Sequence, residues 1–283
     1  VLTKVIAELG INHNGDVETA KQMIDMAARC GCSAVKLQTR DVDCCYSPEK
    51  LASYLDSPHG NTYGDYARAR ELSTEALEVL IAYAHDSNLD IGTSFWDMVR
   101  PVDVLDLAWD FVKVPSAKIR HLALIAEVSS LYADVTLHIS TGACTTAEID
   151  AALKTIGESR AICLYHCTMA YPCADEDANL EMIGTLQGLY GFLPEVILGF
   201  SDHTNGIHVA QTAACLYPVD YIEKHVTLSR TMYGSDQALS LEESGLAKLV
   251  RNLNSIEASI GKGEGKDILP CEQNAYNRLV KNI

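Results

Sequence analysis

Short apolar runs and longer amphipathic runs alternate along the whole chain. The strand-like runs are Lys4–Leu9, Ala34–Thr39, Leu89–Phe95, Phe111–Pro115, Val135–Ser140, Ala161–His166, Val196–Phe200 and Tyr221–His225. A helix-like run follows each, read from the change of apolar period. Val17–Arg29 carries a stripe of Val17, Ala20, Met23, Ile24 and Ala27. Thr74–Asp86 follows Ser73, which reads as its N-cap, and puts Ala76, Leu77, Leu80, Ile81 and Ala84 on one face. Thr145–Ile156 opens Thr-Thr-Ala-Glu, the pattern of a capping box. Ser240–Ile260 is expected as the last and longest helix, with Leu246, Leu249, Val250 and Leu253 inward.

Strands this apolar leave no face for water, so the pattern predicts a parallel sheet covered by helices. Eight strand–helix pairs close as a (β/α)8 TIM barrel, here a single α/β domain over residues 1–283. A doubly wound open sheet is the alternative. The lack of GxGxxG after the first strand weighs against its nucleotide-binding form. The longest insertion, Asp41–Leu72, follows the second strand. Rich in Tyr, Ser, Pro, Gly and Asn, it is expected as a long loop over the active face.

Composition narrows the function. With 283 residues and 48% hydrophobic content, the chain can fill one large core. A net charge of −16 argues against nucleic acid, which is bound by Lys and Arg neutralising phosphates. It leaves room for an anionic small molecule in a local basic pocket. No apolar run approaches the ~18 residues of a membrane span. No signal peptide precedes Val1, and the missing Met suggests a trimmed start. The ten cysteines form no CxxC pair. They read as small buried hydrophobes in a reducing cytoplasm.

In a barrel of this kind chemistry sits at the carboxyl ends of the strands. The first strand ends with Glu8, then Asn12, His13 and Asn14. The second ends with Lys36, Gln38 and Arg40, and the third with Thr93 and Ser94. The fourth supplies Lys113, Ser116 and Lys118, the fifth Ser140 and Thr141, the sixth His166, Thr168 and Tyr171. The seventh supplies Ser201, Asp202 and His203, the eighth Glu223, Lys224 and His225. Lys36 and Lys113 lie inside apolar runs, where a lysine needs a partner or an anion. With Ser116, Ser140, Thr141 and Ser201 they make a phosphate-binding set of point charges and hydroxyl donors. If the last two strands are neighbours, His203 and His225 sit at one end of the sheet. They could then share a divalent metal such as Mn, Fe, Co or Zn. The plainer alternative is two unrelated polar residues at strand ends.

The motifs, taken in order, resemble a known family. Glu8-Leu9-Gly10-Ile11-Asn12-His13-Asn14-Gly15 is similar to the E-x-G-x-N-H-N-G opening of the sialic acid synthase (NeuB-type) barrel. Lys36-Leu37-Gln38-Thr39, Lys113-Val114-Pro115-Ser116 and Ser140-Thr141-Gly142 follow. His166-Cys167-Thr168 with Tyr171-Pro172, Gly199–Thr204 and Ile222-Glu223-Lys224-His225 complete the series over essentially the whole chain. The resemblance implies metal-dependent condensation of phosphoenolpyruvate with an aldehyde sugar such as N-acetylmannosamine. The products are a 2-keto-3-deoxy sugar acid and phosphate. It implies a divalent metal, commonly Mn2+, on His203 and His225, with Mg2+, Co2+, Fe2+ or Zn2+ as other candidates. Phosphoenolpyruvate falls to Lys36, Lys113, Ser116, Ser140 and Ser201, with Gln38 beside the phosphate. Glu8 is implicated in catalysis, and Tyr171 lies at the sugar end. Thr93 and Asp202 join the substrate-binding set as strand-end polar groups.

Four departures concern the acceptor sugar. The family usually reads P-S-G-E where this chain has Pro115-Ser116-Ala117-Lys118, with Arg120 and His121 close by. An acceptor bearing phosphate or carboxylate, contacted by Lys118 or Arg120, is therefore expected. Ala170 stands where the family often has a polar residue, and Gln237 where it often has a histidine, beside the retained Asp236. The family's C-terminal antifreeze-like domain has no counterpart before Asn282-Ile283. The expectation is a truncated chain or a single-domain branch; in the second case N-acetylmannosamine is in doubt as acceptor. A homodimer remains the expected assembly, although family dimers use that domain. The competing readings are a synthase of the 3-deoxy-octulosonate-phosphate type, a pyruvate-releasing metal aldolase and a non-catalytic barrel subunit.

Overall fold

The computed structural model describes residues 3–98, 107–157, 160–261 and 265–281. The helix expected after the third barrel strand falls partly on 99–106, outside the described residues, as do Asn282 and Ile283. The strands are β1 (Lys4–Gly10), β2 (Ala34–Thr39), β3 (Tyr54–Ser57), β4 (Gly60–Thr62), β5 (Asp90–Phe95), β6 (Phe111–Val114), β7 (Thr136–Ser140), β8 (Ile162–His166), β9 (Val196–Asp202) and β10 (Tyr221–His225). Eight of them close a parallel barrel in the order β1-β10-β9-β8-β7-β6-β5-β2. This is the expected TIM barrel, and β9 and β10 are indeed neighbours. The sequence-predicted strands recur with ends moved by one or two residues. β6 stops before Pro115, which has no N–H for the ladder.

The pleat divides each strand between two environments. Outward side chains such as Val35, Leu37, Val112, Val114, Leu164 and Ile222 join the large core between barrel and helices. Inward side chains form a small second core of Ile6, Ala34, Phe111, Cys163 and Tyr165 low in the barrel. Two glycines make room for its rings. A Cβ on Gly92 would lie 2.4 Å from the Phe111 ring, and one on Gly199 would lie 2.5 Å from Tyr165. Above this apolar floor the inward positions become charged.

The helices start and stop where local chemistry dictates. Asp16 accepts the Thr19 N–H and opens Val17–Cys30, which Gly31 ends in the left-handed region. Thr145 and Glu148 form the expected capping box for Thr146–Ile156. The long helix runs Glu243–Ile260, but a short helix, Gln273–Leu279, follows it, so it is not the last. The insertion after β2 is more ordered than a bare loop. It holds three one-turn helices and the β3–β4 ribbon, each helix opened by its own cap: Asp41, Ser47 and Thr62. Tyr66 Oη accepts the Ser235 N–H at 3.2 Å, and Tyr233 Oη donates to the Asp56 carbonyl at 3.2 Å. The insertion is thereby tied to the loop after β10. The cysteines correct their expectation in part: Cys30, Cys32, Cys163, Cys167 and Cys173 are buried, whereas Cys44, Cys215 and Cys271 are exposed. Among the described residues no helix is long and apolar enough to cross a membrane.

Candidate active site

The inward positions at the carboxyl ends of the strands line a cleft that opens to solvent. Its wall includes Glu8, Lys36, Gln38, Lys113, Ser116, Ser140, Tyr171, Ser201, His203 and His225. Ten of the thirteen sequence-predicted site residues are therefore together. Thr93, Asp202 and Lys118 are not on this wall. Parallel neighbours share a face level by level, so the residues beside Lys36 and Gln38 that face inward are Gly92 and Ser94. Thr93 points outward and pairs with Thr39 at 3.3 Å. Asp202 lies one residue from each of the inward Ser201 and His203, so it too faces outward. It accepts Lys224 Nζ at 2.7 Å and the Thr204 N–H at 2.8 Å. Both are corrected as substrate contacts by the two-residue period of a strand. The same period exposes what the strand-end reading left without a role: Glu223, Ser94 and Cys167 all line the cleft.

Glu223 is the hub of the charged layer. Lys113 Nζ donates to both of its oxygens at 2.8 Å, and Ser201 Oγ donates to Oε1 at 3.2 Å. Lys36 Nζ stands 3.8 Å away, having Glu8 Oε2 at 2.6 Å and Ser94 Oγ at 2.7 Å as nearer partners. The floor is thus two lysines balanced by two glutamates, all nearly inaccessible to water. Burial alone would raise Glu223, but the Lys113 and Lys36 ammonium groups outweigh it and hold the carboxyl well below its usual range. For Glu8 burial wins. Its pKa is raised despite Lys36, with the Glu223 charge adding to the rise. Gln38 Nε2 donates to Glu8 at 2.8 Å, and the Gln38 oxygen accepts from Arg40. Arg40 is itself held by Glu71 at 2.9 Å.

The two histidines face each other across the mouth, ring centroids 5.7 Å apart, with Tyr171 4.3 Å from His203. His203 Nδ1 lies 2.8 Å from the Thr168 carbonyl. A carbonyl only accepts, so Nδ1 carries the hydrogen and Nε2 keeps its lone pair for the cleft. Burial, then His225, pushes His203 down to about 4. His225 is also lowered, by burial first. Its buried Nδ1 has no hydrogen-bond partner, and Asp236 Oδ2 lies 3.9 Å off. A neutral ring makes that a dipolar contact rather than an ion pair. Two neutral imidazoles with unengaged ring nitrogens fit a divalent cation. Among the described residues no third His, Cys, Asp or Glu completes a cluster. Any such cation would have to fill its other positions with substrate or water.

Residues near the sites have structural duties. Asn12 Nδ2 donates to the Val226 carbonyl at 2.8 Å and to Ser240 at 2.9 Å. His13 bridges Gly10 and Gly15 within its own loop. Gln237 Nε2 donates to the Asn12 carbonyl at 3.1 Å, so it braces the same loop. Arg120 is engaged by Glu148 and the Ala143 carbonyl on the surface. Lys118 is half-buried, its charge is felt at Cys45, and its ammonium group makes no hydrogen bond or ion pair among the described residues.

The sequence profile of the NeuB family matches residues 23–265. The chain is similar to the N,N'-diacetyllegionaminic acid synthase of Campylobacter jejuni, with 33% identity over 99% of this chain and 84% of that protein. It is also 33% identical to the N-acetylneuraminate-9-phosphate synthase of Drosophila melanogaster, over 99% and 80% of the two. A crystal structure of N-acetylneuraminic acid synthetase from Leptospira borgpetersenii, in complex with citrate, matches with a TM-score of 0.83. The identity is 26%, over 99% of this chain and 93% of that one.

Proposed function

The chain belongs to the NeuB family, and its relatives include proteins named N-acetylneuraminate-9-phosphate synthase and N,N'-diacetyllegionaminic acid synthase; from that premise we propose that it joins phosphoenolpyruvate to an anionic aldehyde sugar with the help of a divalent metal. The observation that carries the reading is one cleft with two kinds of lining. The same cleft is lined by Lys36, Lys113, Ser116, Ser140 and Ser201, ammonium and hydroxyl donors suited to an anion, and by His203 and His225, imidazoles suited to a divalent metal.

Lys36 and Lys113 hold the phosphoryl and carboxylate groups of phosphoenolpyruvate, and the serine hydroxyls orient them. The incoming anion competes with Glu223 for Lys113, so Glu223 keeps that ammonium aimed into the cleft until substrate arrives. A cation on His203 and His225, most simply Mn2+, would polarise the aldehyde oxygen of the acceptor. C3 of phosphoenolpyruvate bonds to the aldehyde carbon as the C=C electron pair is used, and the former carbonyl oxygen takes up a proton to become a hydroxyl, balanced by the one that Glu8 removes from water. That water adds to C2, and cleavage of the C2–O bond releases phosphate, which carries off the remaining hydrogen of the C2 hydroxyl and leaves the 2-keto acid. Glu8, with its raised pKa and its Gln38 contact, takes the proton from that water. Lys118, which follows the cleft residues Ser116 and Ala117 and makes no hydrogen bond or ion pair through its ammonium group among the described residues, meets the acceptor's charge. Two relatives named N-acetylneuraminate-9-phosphate synthase, from mouse and fly, make a phosphorylated product and favour an anionic acceptor here too.

The test is phosphate release from phosphoenolpyruvate with Mn2+ and a panel of hexosamine aldehydes, neutral and 6-phosphorylated. Turnover is expected with the phosphorylated members. Silence across the panel would sink the reading, and a preference for neutral sugars would sink the role of Lys118.

A further inference from the structure

One buried group in the cleft has no part in the mechanism above. Cys167 reaches the cleft because it continues the inward alternation Cys163, Tyr165, Cys167 beyond β8. Its Sγ lies 3.0 Å from Ser116 Oγ. The same oxygen accepts the Gly142 N–H at 2.9 Å. The three groups are in tight contact: a Cβ on Gly142 would stand 2.8 Å from both Cys167 Sγ and Ser116 Oγ. A side chain at Gly142 would push the Ser116 and Cys167 side chains out of this contact.

A serine hydroxyl has one hydrogen and two lone pairs. The Gly142 N–H can only donate, so it takes one lone pair permanently. The sulfur can do either. With the cleft empty, Ser116 can give its hydrogen to Cys167. With an anion present, the thiol can give its hydrogen to the second lone pair, which leaves the Ser116 O–H as the only direction still free. We propose that Cys167 is a positioning residue for substrate anion binding, setting the Ser116 hydroxyl to donate into the cleft toward phosphoenolpyruvate. Burial raises the Cys167 pKa, so the thiol keeps the hydrogen this exchange needs. The inference rests on the proposed function for its substrate, but the hydrogen-bond logic holds for any phosphate-bearing ligand.

Cys167→Ala and Cys167→Ser in the full chain test it, with inorganic phosphate as the probe in calorimetry and phosphoenolpyruvate in kinetics. Loss of one oriented hydrogen bond predicts that Cys167→Ala weakens phosphate binding and raises the KM for phosphoenolpyruvate together. Each should change by roughly 3–10-fold, with the acceptor KM unmoved. Cys167→Ser, which can also donate and accept, should stay within about twofold of the parent. Parent-like phosphate affinity in the Ala variant would overturn the proposal. So would a Ser variant as weak as Ala, since that makes the site one of packing alone. If the parent protein binds phosphate but turns over no phosphoenolpyruvate, the proposed function fails while the phosphate titration still decides the role of Cys167.

Discussion

On β10, Glu223 and Lys224 are consecutive residues that face opposite sides of the barrel wall, and each belongs to a buried lysine–carboxylate pair. Outside, Lys224 Nζ gives hydrogen bonds to Asp202 Oδ2 and to the Thr204 carbonyl, and Asp202 Oδ1 is filled by the Thr204 N–H. Both side chains are fully sealed from water. Inside, Glu223 pairs with Lys113, but both line an open cleft, and a second lysine and a serine crowd the same carboxylate. The outer pair is sealed from water and bonded to its own wall. The inner pair holds its charges in readiness, because an entering anion can replace Glu223 on Lys113 without leaving a charge bare. Burial of a charge therefore does not distinguish structure from function here; access does.

The sharpest way to break this comparison is to remove one lysine from each side. Lys113→Met should lower kcat/KM by roughly a thousandfold or more, about 4 kcal/mol of transition-state stabilisation. Its cost in stability should be the smaller of the two, because Glu223 retains Lys36, Ser201 and cleft water. Lys224→Met should do the reverse. Removing one partner from a sealed pair leaves an uncompensated buried charge, a loss of about 3 kcal/mol or more in urea unfolding. The kcat/KM per folded molecule should stay near the parent value. Equal damage to activity in both variants would mean that the wall transmits strain and that the two faces are not independent.

A sealed titratable group sharpens the contrast further. His138 lies low in the barrel, stacked on Phe111, with Nδ1 3.0 Å from Tyr165 Oη. Lys113 stands over the other ring of this layer, 4.2 Å above Tyr165. Burial, then Lys113, pushes His138 down to about 3. The folded protein thus holds it neutral where the unfolded chain, with a pKa near 6.5, takes a proton. Stability is complete above about pH 6.5 and falls as pH drops from there toward 3. The slope approaches about 1.4 kcal/mol per pH unit for this one proton only well below pH 6.5. Between pH 7 and 5, urea unfolding of the parent should lose about 2 kcal/mol that His138→Phe does not lose, with the steeper slope at the acid end. Identical slopes would show that His138 is not the group taking up the proton.

Much of this was readable in the residues themselves. Eight apolar runs and their strand-end polar groups predict the barrel and ten cleft residues, because a parallel strand brings all its chemistry to one end. Errors arose where strand ends were read without the pleat. Thr93 and Asp202 are adjacent in sequence to true cleft residues and face the other way. Glu223, two residues from His225, was legible by the same alternation. The Glu8–Lys36 and Lys113–Glu223 pairings were not, since they depend on reach across the barrel interior between strands distant in sequence. The insertion Asp41–Leu72 reads as loop because its helices are one turn long, too short to show a period.

The smallest expected effect concerns the two cations that follow Ser116. Sequence alone makes Lys118 and Arg120 equivalent candidates for an acceptor's charge, two residues apart in a basic stretch. The structure separates them by what each already touches. Arg120 is engaged by Glu148, the residue that also closes the capping box of Thr146–Ile156. Lys118 has no such engagement among the described residues. Arg120→Ala should therefore leave acceptor preference alone and cost no measurable stability, as expected of an exposed ion pair whose carboxylate keeps its cap. Lys118→Ala should lower kcat/KM for a phosphorylated acceptor by roughly 3–10-fold, an effect that shrinks as salt is raised, and spare a neutral one. The paired readout matters more than either number. A charge acts selectively on a charged partner, so a Lys118 variant that weakens both acceptors alike would assign Lys118 a structural role and return the acceptor's charge to a group not yet named.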